Sequence, residues 1–433
     1  METHLADWIK GTPDGIEAES ILRTCVHCGF CNATCPTYQL LGDELDGPRG
    51  RIYQIKQMLE GGKPGASTQL HLDRCLTCMN CETTCPSGVR YGRLVDIGRA
   101  IVGQRVPRPA QQRWKRALLR TAVTTRWLFT PAVRLGRLVR PLLPSALRSK
   151  LPPLRKAGAV PQRSHARRVL LLYGCVQPAL MPAIDAATAR VLDALGIEAV
   201  VAARSGCCGA IDYHLTALAA ARSSARRNID AWWPHIQNGA EAIVINASGC
   251  GAMVREYAHV LRDDPAYAEK ASRVVSLTLD LAEFLAPMQQ RLVAQAAGVH
   301  ASTPRRVAFH PPCTLQHTQK IRGTVEGILG ALGAELVPVA DAHLCCGSAG
   351  SYSLLQPDLS LQLRERKLAN LLREKPAMIL SANIGCLAHL DTGAAVPVRH
   401  WIEWVDQRLG LAAIGQDSGR PAASIGTPVQ TEQ

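Results

Sequence analysis

The stretch Cys25-Val26-His27-Cys28-Gly29-Phe30-Cys31-Asn32-Ala33-Thr34-Cys35-Pro36 spaces four thiols as C-x2-C-x2-C-x3-C and ends on proline. The stretch Cys75-Leu76-Thr77-Cys78-Met79-Asn80-Cys81-Glu82-Thr83-Thr84-Cys85-Pro86 repeats every cysteine and the proline at an offset of 50 residues. A [4Fe–4S] cube takes one thiolate per iron, and the x2 spacings let one tight loop supply three of them. In two-cluster ferredoxins the fourth ligand comes from the other motif. By that rule Cys25, Cys28, Cys31 and Cys85 hold one cluster, and Cys75, Cys78, Cys81 and Cys35 hold the other. A pair of zinc knuckles also uses C-x2-C, but it leaves the third and fourth cysteines of each run without a role. Residues 51–60 between the motifs, and Leu94, Ile97 and Ile101 after them, carry apolar side chains at helical spacing. A helical ferredoxin module is therefore expected, not the compact β-rich kind.

Around this module lies a chain of 433 residues, more than one hydrophobic core normally organises, so two or three domains are expected. Its 47% apolar and 19% charged residues are ordinary for a folded protein. The sixteen cysteines fall in tight clusters, and residues 1–7 are polar and acidic, without an apolar signal core. That pattern favours reduced, metal-holding thiols in the cytoplasm over a secreted disulfide scaffold. No segment reaches the roughly 18 uninterrupted apolar residues of a membrane span, so the chain is not expected to cross a membrane.

The net charge of +14 is localised. Residues 105–156 hold fourteen Lys or Arg and no acid, which leaves the remainder balanced at 35 against 35. Trp114, Trp127 and Phe129 are interleaved with these cations. Contact with an anionic membrane surface or an acidic partner is the preferred reading, ahead of a solvated linker. Nucleic-acid binding is not expected, because no recognised binding motif accompanies the charge.

Beyond the basic segment the chain is duplicated. Adding 138 to Cys175, Cys207 and Cys208 gives Cys313, Cys345 and Cys346, and the fourth cysteines, Cys250 and Cys386, follow each pair by 42 and 40 residues. In the first unit, strands are expected at 169–173, 197–202 and 242–247, with helices at 183–195 and 215–232, the latter ending before Pro234. In the second, strands are expected at 307–309, 334–339 and 378–382, and helices at 325–332 and 359–372. Short apolar strands separated by helices argue for parallel sheets with covered faces. The cysteines fall beyond the carboxyl ends of the strands, where such sheets gather their ligands. These eight cysteines are candidate ligands for one or more additional iron–sulfur clusters.

The fold class is thus α+β and multidomain: an N-terminal α-helical two-cluster ferredoxin module, then two tandem α/β Cys-Cys-Gly repeats with parallel sheets. The expected division is 1–100 for the ferredoxin module, 101–165 for a basic interaction segment, 166–300 and 301–409 for the repeats, and 410–433 for a disordered tail.

With the paired Cys207-Cys208-Gly209 and Cys345-Cys346-Gly347 units, and with Ala247-Ser248-Gly249-Cys250-Gly251 and Ala382-Asn383-Ile384-Gly385-Cys386, the chain resembles the iron–sulfur subunits of bacterial glycolate oxidase (glycolate dehydrogenase) over residues 15–409. The Cys-Cys-Gly unit also recurs in heterodisulfide reductases, anaerobic glycerol-3-phosphate dehydrogenase and lactate-utilisation proteins, which are the alternative readings. The resemblance implies an electron-transfer subunit of an oxidoreductase complex, with no catalytic residue of its own. Flavin-binding partner subunits would oxidise glycolate to glyoxylate, and a membrane quinone would accept the electrons at the cytoplasmic face of the inner membrane. No G-x-G-x-x-G fingerprint or P-loop is present, so no nucleotide or flavin site is expected here.

The chain departs from the heterodisulfide reductase pattern. There the last cysteine opens a C-x-x-C pair; here Met253 and His389 stand at the partner positions. Four cysteines per unit suffice for a cube, whereas five-thiolate chemistry is not expected. His389 is a candidate ligand on that ground, and His310, His317 and His343 are candidate ligands or proton carriers near the second unit's cysteines.

Overall fold

The computed structural model describes residues 1–142 and 154–411. Most of the expected tail, from residue 412 on, and residues 143–153 of the basic segment lie outside the described residues.

The N-terminal module is helical, as the spacing predicts. Helix α1 (Pro13–Thr24) starts where the Thr12 hydroxyl accepts the Gly15 N–H at 3.0 Å and Pro13 takes the first turn. Helices α2 (Phe30–Ala33) and α3 (Pro36–Leu41) follow within the first cysteine run. After α4 (Pro48–Leu59) and α5 (Ala66–Asp73), α6 (Asn80–Thr84) occupies the second run, and α7 (Tyr91–Arg105) closes the module. Leu22, Ile55, Leu59, Leu94 and Val102 form its core, all fully buried. Helices α4 and α7 approach so closely that a Cβ on Gly98 would stand 2.7 Å from the Ile55 side chain.

Two helices carry the basic segment, α8 (Ala110–Thr124) and α9 (Arg126–Leu138). Its cations are not all on the surface. Arg108 and Arg116 pair with Asp73, and Arg120 reaches Asp212 at 2.7 Å. Arg137 donates to the Ala179 and Leu180 carbonyls. An acid-free segment thus draws its counter-charges from elements far away in sequence, joining the ferredoxin module to the first repeat. Trp114, Trp127, Leu135, Leu138 and Leu142 remain exposed beside it.

The repeats form two parallel four-stranded sheets of identical order. In the first, β1 (Arg167–Leu171), β2 (Ile197–Val200), β3 (Ile243–Ile245) and β4 (Thr278–Asp280) run 2-1-3-4. In the second, β5 (Arg306–His310), β6 (Glu335–Leu336), β7 (Met378–Ser381) and β8 (Val398–His400) run 6-5-7-8. The fourth strand of each sheet is absent from the sequence reading. Three residues are too few to show a period, although both strands lead into a capping box, Asp280 with Glu283 and His400 with Glu403.

One further expectation changes. The helix over Leu218–Gln237 does not stop before Pro234 but carries it inside its last turn and a half. The proline cannot bond back to the preceding turn, yet its own carbonyl accepts the Asn238 N–H at 3.0 Å and the helix closes beyond it. A single core runs through both repeats, from Val169, Ile184 and Val191 to Val307, Ile379 and Trp401. Between them a buried bidentate pair joins Arg190 to Asp406 at 2.8 and 2.7 Å.

Candidate iron–sulfur sites

Each ferredoxin loop is bent by two left-handed residues. In the first these are His27 (φ 60°) and Gly29 (φ 87°); in the second they are Thr77 (φ 50°) and Met79 (φ 58°), at the same offset of 50. A β-branched residue is a rare occupant of that region. Such strain persists where the surroundings over-determine it, typically at a binding site. The curl brings three cysteines of each run to the wall of one cavity. Cys35 caps α3, and Pro36 can follow because its missing N–H is one the first helical turn leaves unbonded.

Cys25, Cys28, Cys31 and Cys85 line one cavity, together with Cys81, Ile52, Pro48 and Phe30. Cys35, Cys75, Cys78 and Cys81 line a second, with Arg51, and Tyr91 stands against both. Each cavity mixes cysteines of both runs, and Cys81 reaches both. No disulfide competes for any of the sixteen thiols. Sulfur donors convergent on apolar-walled cavities fit iron, a metal that favours thiolate.

The two cavities differ in charge. Around the first, burial pushes the Cys25 thiol up, and burial together with Cys25 pushes Cys31 up to about 11. Cys28 is exposed, with Val26 and Phe30 exposed beside it. Behind the second, the buried guanidinium of Arg51 lies 4.0 Å from Cys35 Sγ and 3.3 Å from the buried Asp46 carboxylate. Arg99 donates to the Leu72 and Cys75 carbonyls. Burial raises the Cys75 thiol, but Arg51 and Arg99 overcome it and the net shift is downward. Tyr91 also donates to Cys75 Sγ at 3.5 Å.

The Cys-Cys-Gly turns are built alike. Gly209 (φ 89°) and Gly347 (φ 87°) turn their N–H back onto Cys207 Sγ and Cys345 Sγ at 3.5 and 3.4 Å. A Cβ on Gly347 would stand 2.6 Å from the Ser360 carbonyl oxygen, so no other residue fits there. In the first unit Cys175, Cys207, Cys208 and Cys250 are linked thiol to thiol, and Cys207 is held low because Cys175 and Cys208 donate to it. In the second, Cys313 and Cys345 stand 4.0 Å apart, and Cys346 contacts both Cys345 and Cys386. Hydrogen bonding to Cys345, then burial, holds the Cys313 thiol up; Cys346, lowered by Cys345, is raised on balance by Cys386 and burial. Four sulfurs this close could all ionise only around a cation, and as soft donors they fit a metal centre.

The second unit adjoins the second ferredoxin cavity. Leu76 and Cys78 pack with Cys313, Cys345 and Tyr352, and the Cys313 sulfur adds to burial in raising Cys78. Asn80 donates to the His343 carbonyl at 3.3 Å, and Thr83 Oγ1 lies 2.9 Å from His317 Nδ1. The two repeats then meet at their fourth cysteines: the Gly249 N–H donates to Asn383 Oδ1 at 3.2 Å, and Asn383 donates to Cys386 Sγ at 3.6 Å.

The histidines separate. His317 spends both ring nitrogens on Thr83 and the His343 carbonyl, a joint between module and repeat. His389, the residue that replaces a cysteine, turns to the Ser360 hydroxyl and carbonyl at 3.2 and 3.3 Å. His310 instead joins Cys346 and Cys386 in one group of close donor atoms. Arg51 and Lys367, buried at the cysteine sites, had no sequence signal beyond being cations inside apolar helical patterns.

A two-cavity cysteine module joined to paired parallel-sheet units with four thiols each defines an iron–sulfur protein of the electron-transfer class. The 4Fe-4S dicluster domain family matches residues 21–89, and the Cysteine-rich domain family matches residues 169–255 and 307–391. The chain is 54% identical over 412 residues to the glycolate oxidase iron-sulfur subunit of Escherichia coli (strain K12), covering 94% of this chain and 99% of that one. It is 30% identical over 405 residues to the probable glycolate oxidase iron-sulfur subunit of Bacillus subtilis (strain 168), covering 87% and 89%. Lactate utilization protein A of Exiguobacterium sp. (strain ATCC BAA-1283 / AT1b) is 28% identical over 55% of this chain and 97% of its own length. The chain belongs to the family of glycolate oxidase iron–sulfur subunits.

Proposed function

We propose that this chain is the electron-carrying subunit of a glycolate-oxidising complex, with Cys25, Cys28, Cys31 and Cys85 holding one [4Fe–4S] cluster and Cys75, Cys78, Cys81 and Cys35 the other. The observation that carries the reading is the pair of cavities, each lined by cysteines of both runs: three of the first and two of the second in one, three of the second and one of the first in the other. Bound there, the clusters supply one-electron relay centres. The chain's own residues set position and charge: Tyr91 walls both cavities, and Arg51 and Arg99 favour added negative charge at the second. The four-cysteine groups of the repeats extend the relay, the second unit first, because Cys313 neighbours Cys78.

The finer assignments follow from exposure. The rim formed by Cys28, Val26 and Phe30 is where a flavin-binding partner subunit docks, since it is the ferredoxin cysteine open to the surface. Helices α8 and α9, with exposed Trp114, Trp127 and Leu138 among basic side chains, rest on an anionic membrane surface near a quinone acceptor. Among the described residues no helix is long and apolar enough to cross a membrane, so that contact is peripheral.

The test is anaerobic purification with iron, zinc and acid-labile sulfide analysis and electron paramagnetic resonance of the reduced protein. About eight irons per chain with matching sulfide and two interacting signals are expected from the ferredoxin module alone, and about twelve or sixteen if the repeats are loaded. Zinc without sulfide sinks the reading. Dye reduction by the reconstituted complex, with glycolate and lactate compared, tests the substrate.

A further inference from the structure

The second repeat holds a group that the first lacks. His310, the last residue of β5, is 1% exposed, and neither ring nitrogen has a hydrogen-bond partner among the described residues. One ring nitrogen and the sulfurs of Cys346 and Cys386 all lie within 4.8 Å of one another. The nearby Ser381 hydroxyl, which offers an alternative partner, donates instead to the His310 backbone carbonyl at 2.9 Å. Subtracting the repeat offset of 138 puts Leu172 at the equivalent place, 3% exposed and apolar.

A buried imidazole with both nitrogens unpaired forfeits the hydrogen bonds that water would supply. Such a cost is sustained where the ring has another use. The ammonium of Lys367 lies buried near the same sulfurs. Neutral imidazole is a good iron ligand, and in iron–sulfur centres it replaces thiolate with a rise in potential.

We propose that His310 is a metal ligand: the second repeat carries a mixed cysteine–histidine iron–sulfur site of Cys313, Cys345, Cys346, Cys386 and His310, whereas the first repeat's site is all-thiolate. The inference rests on the reading that the second repeat holds a cluster. His389, hydrogen-bonded to Ser360, is not a ligand.

The experiment uses the full chain, isolated anaerobically with ¹⁵N-labelled and unlabelled histidine, as wild type, His310→Leu, His310→Cys and His389→Ala. Iron, zinc and sulfide are counted, and nitrogen hyperfine couplings are read by pulsed electron paramagnetic resonance of the reduced protein. A strong coupling that scales with the isotope, survives His389→Ala and vanishes in His310→Leu is the expected result. His310→Leu installs the residue of the first repeat, so folding is retained. His310→Cys should keep the iron count, lose the coupling and shift that signal's potential downward. Iron above about eight per chain with no histidine coupling, or a coupling unchanged in His310→Leu, overturns the inference and leaves the loaded repeat standing. Iron that stays at about eight, or zinc in the repeats, removes the underlying reading and the inference with it.

Discussion

The two Cys-Cys-Gly repeats share strand order, cysteine register and the left-handed glycine, yet they differ in everything that surrounds the thiols. The second abuts the ferredoxin module through Leu76 and Cys78, faces a buried Lys367, and carries His310. The first meets the module mainly through ion pairs, Arg93 with Glu256 and Arg262 with Glu17. Its polar interior lies elsewhere, in Gln177, Asp185, Thr188 and Asn246. At the position matching Asp185 the second repeat has Gly323. Duplication preserved the frame that gathers four sulfurs and let the charge around them diverge.

If the second repeat is the one that receives electrons from the module, its cysteines matter more directly. Cys345→Ala should lower acceptor reduction by the complex roughly tenfold or more, a barrier change of about 1.4 kcal/mol or above. Iron analysis should show the ferredoxin clusters retained. An equal loss in Cys207→Ala with an unaffected Cys345→Ala would reverse the order of the relay.

The glycine turns should also rank. A Cβ at Gly347 meets the Ser360 carbonyl oxygen at 2.6 Å, while one at Gly209 finds its nearest backbone oxygen, that of Ala221, at 3.2 Å. Gly347→Ala is expected to destabilise by about 2–4 kcal/mol and Gly209→Ala by about 1–2, from left-handed strain plus overpacking. Denaturant titration under argon measures both, and equal losses would mean the two turns are equally confined.

Asp185 separates the repeats by pH. Burial pushes its carboxyl up to about 6 despite hydrogen bonds from Asn246 and Gln177. A folded value above the unfolded one means stability present below about pH 4 and lost as pH rises through 6, about 2–3 kcal/mol in all. Asp185→Asn should flatten that part of the stability profile. A wild-type profile without a decline between pH 4 and 7 would deny the effect.

The smallest expected change concerns charge beside the sulfurs. Lys367→Met should lower the potential of the second repeat's centre by on the order of 50–100 mV, because a buried cation no longer offsets the added electron. Arg227→Met in the first repeat, where the side chain is exposed although it donates to the Cys207 carbonyl, should do less. Redox titration monitored by electron paramagnetic resonance decides, and identical shifts would remove the distinction.

Much of this architecture is legible in local spacing. The offset of 50 between the ferredoxin runs and of 138 between the repeats needs no structure, since ligand geometry imposes short, rigid intervals on the cysteines it uses. The same holds for parallel strands read from apolar runs and for helices read from period. Three-residue strands such as β4 and β8 escaped because a period cannot be seen in so few positions. The basic segment misled in part: Arg108, Arg116 and Arg120 look like a surface patch until Asp73 and Asp212 arrive from elsewhere.

Sequence by itself determined how many thiols the chain gathers and in what repeated frame, because the short intervals within each cysteine run act between residues a few positions apart. Only tertiary structure decided which histidine turns toward the sulfurs, why Arg51 lies buried behind Cys35 and Cys75, and that Cys78 meets Cys313 rather than a cysteine of the first repeat. Those outcomes depend on packing between segments from 16 to 235 residues apart. There the choice is made by shape and by compensation of buried charge, and neither leaves a period or an interval in the chain.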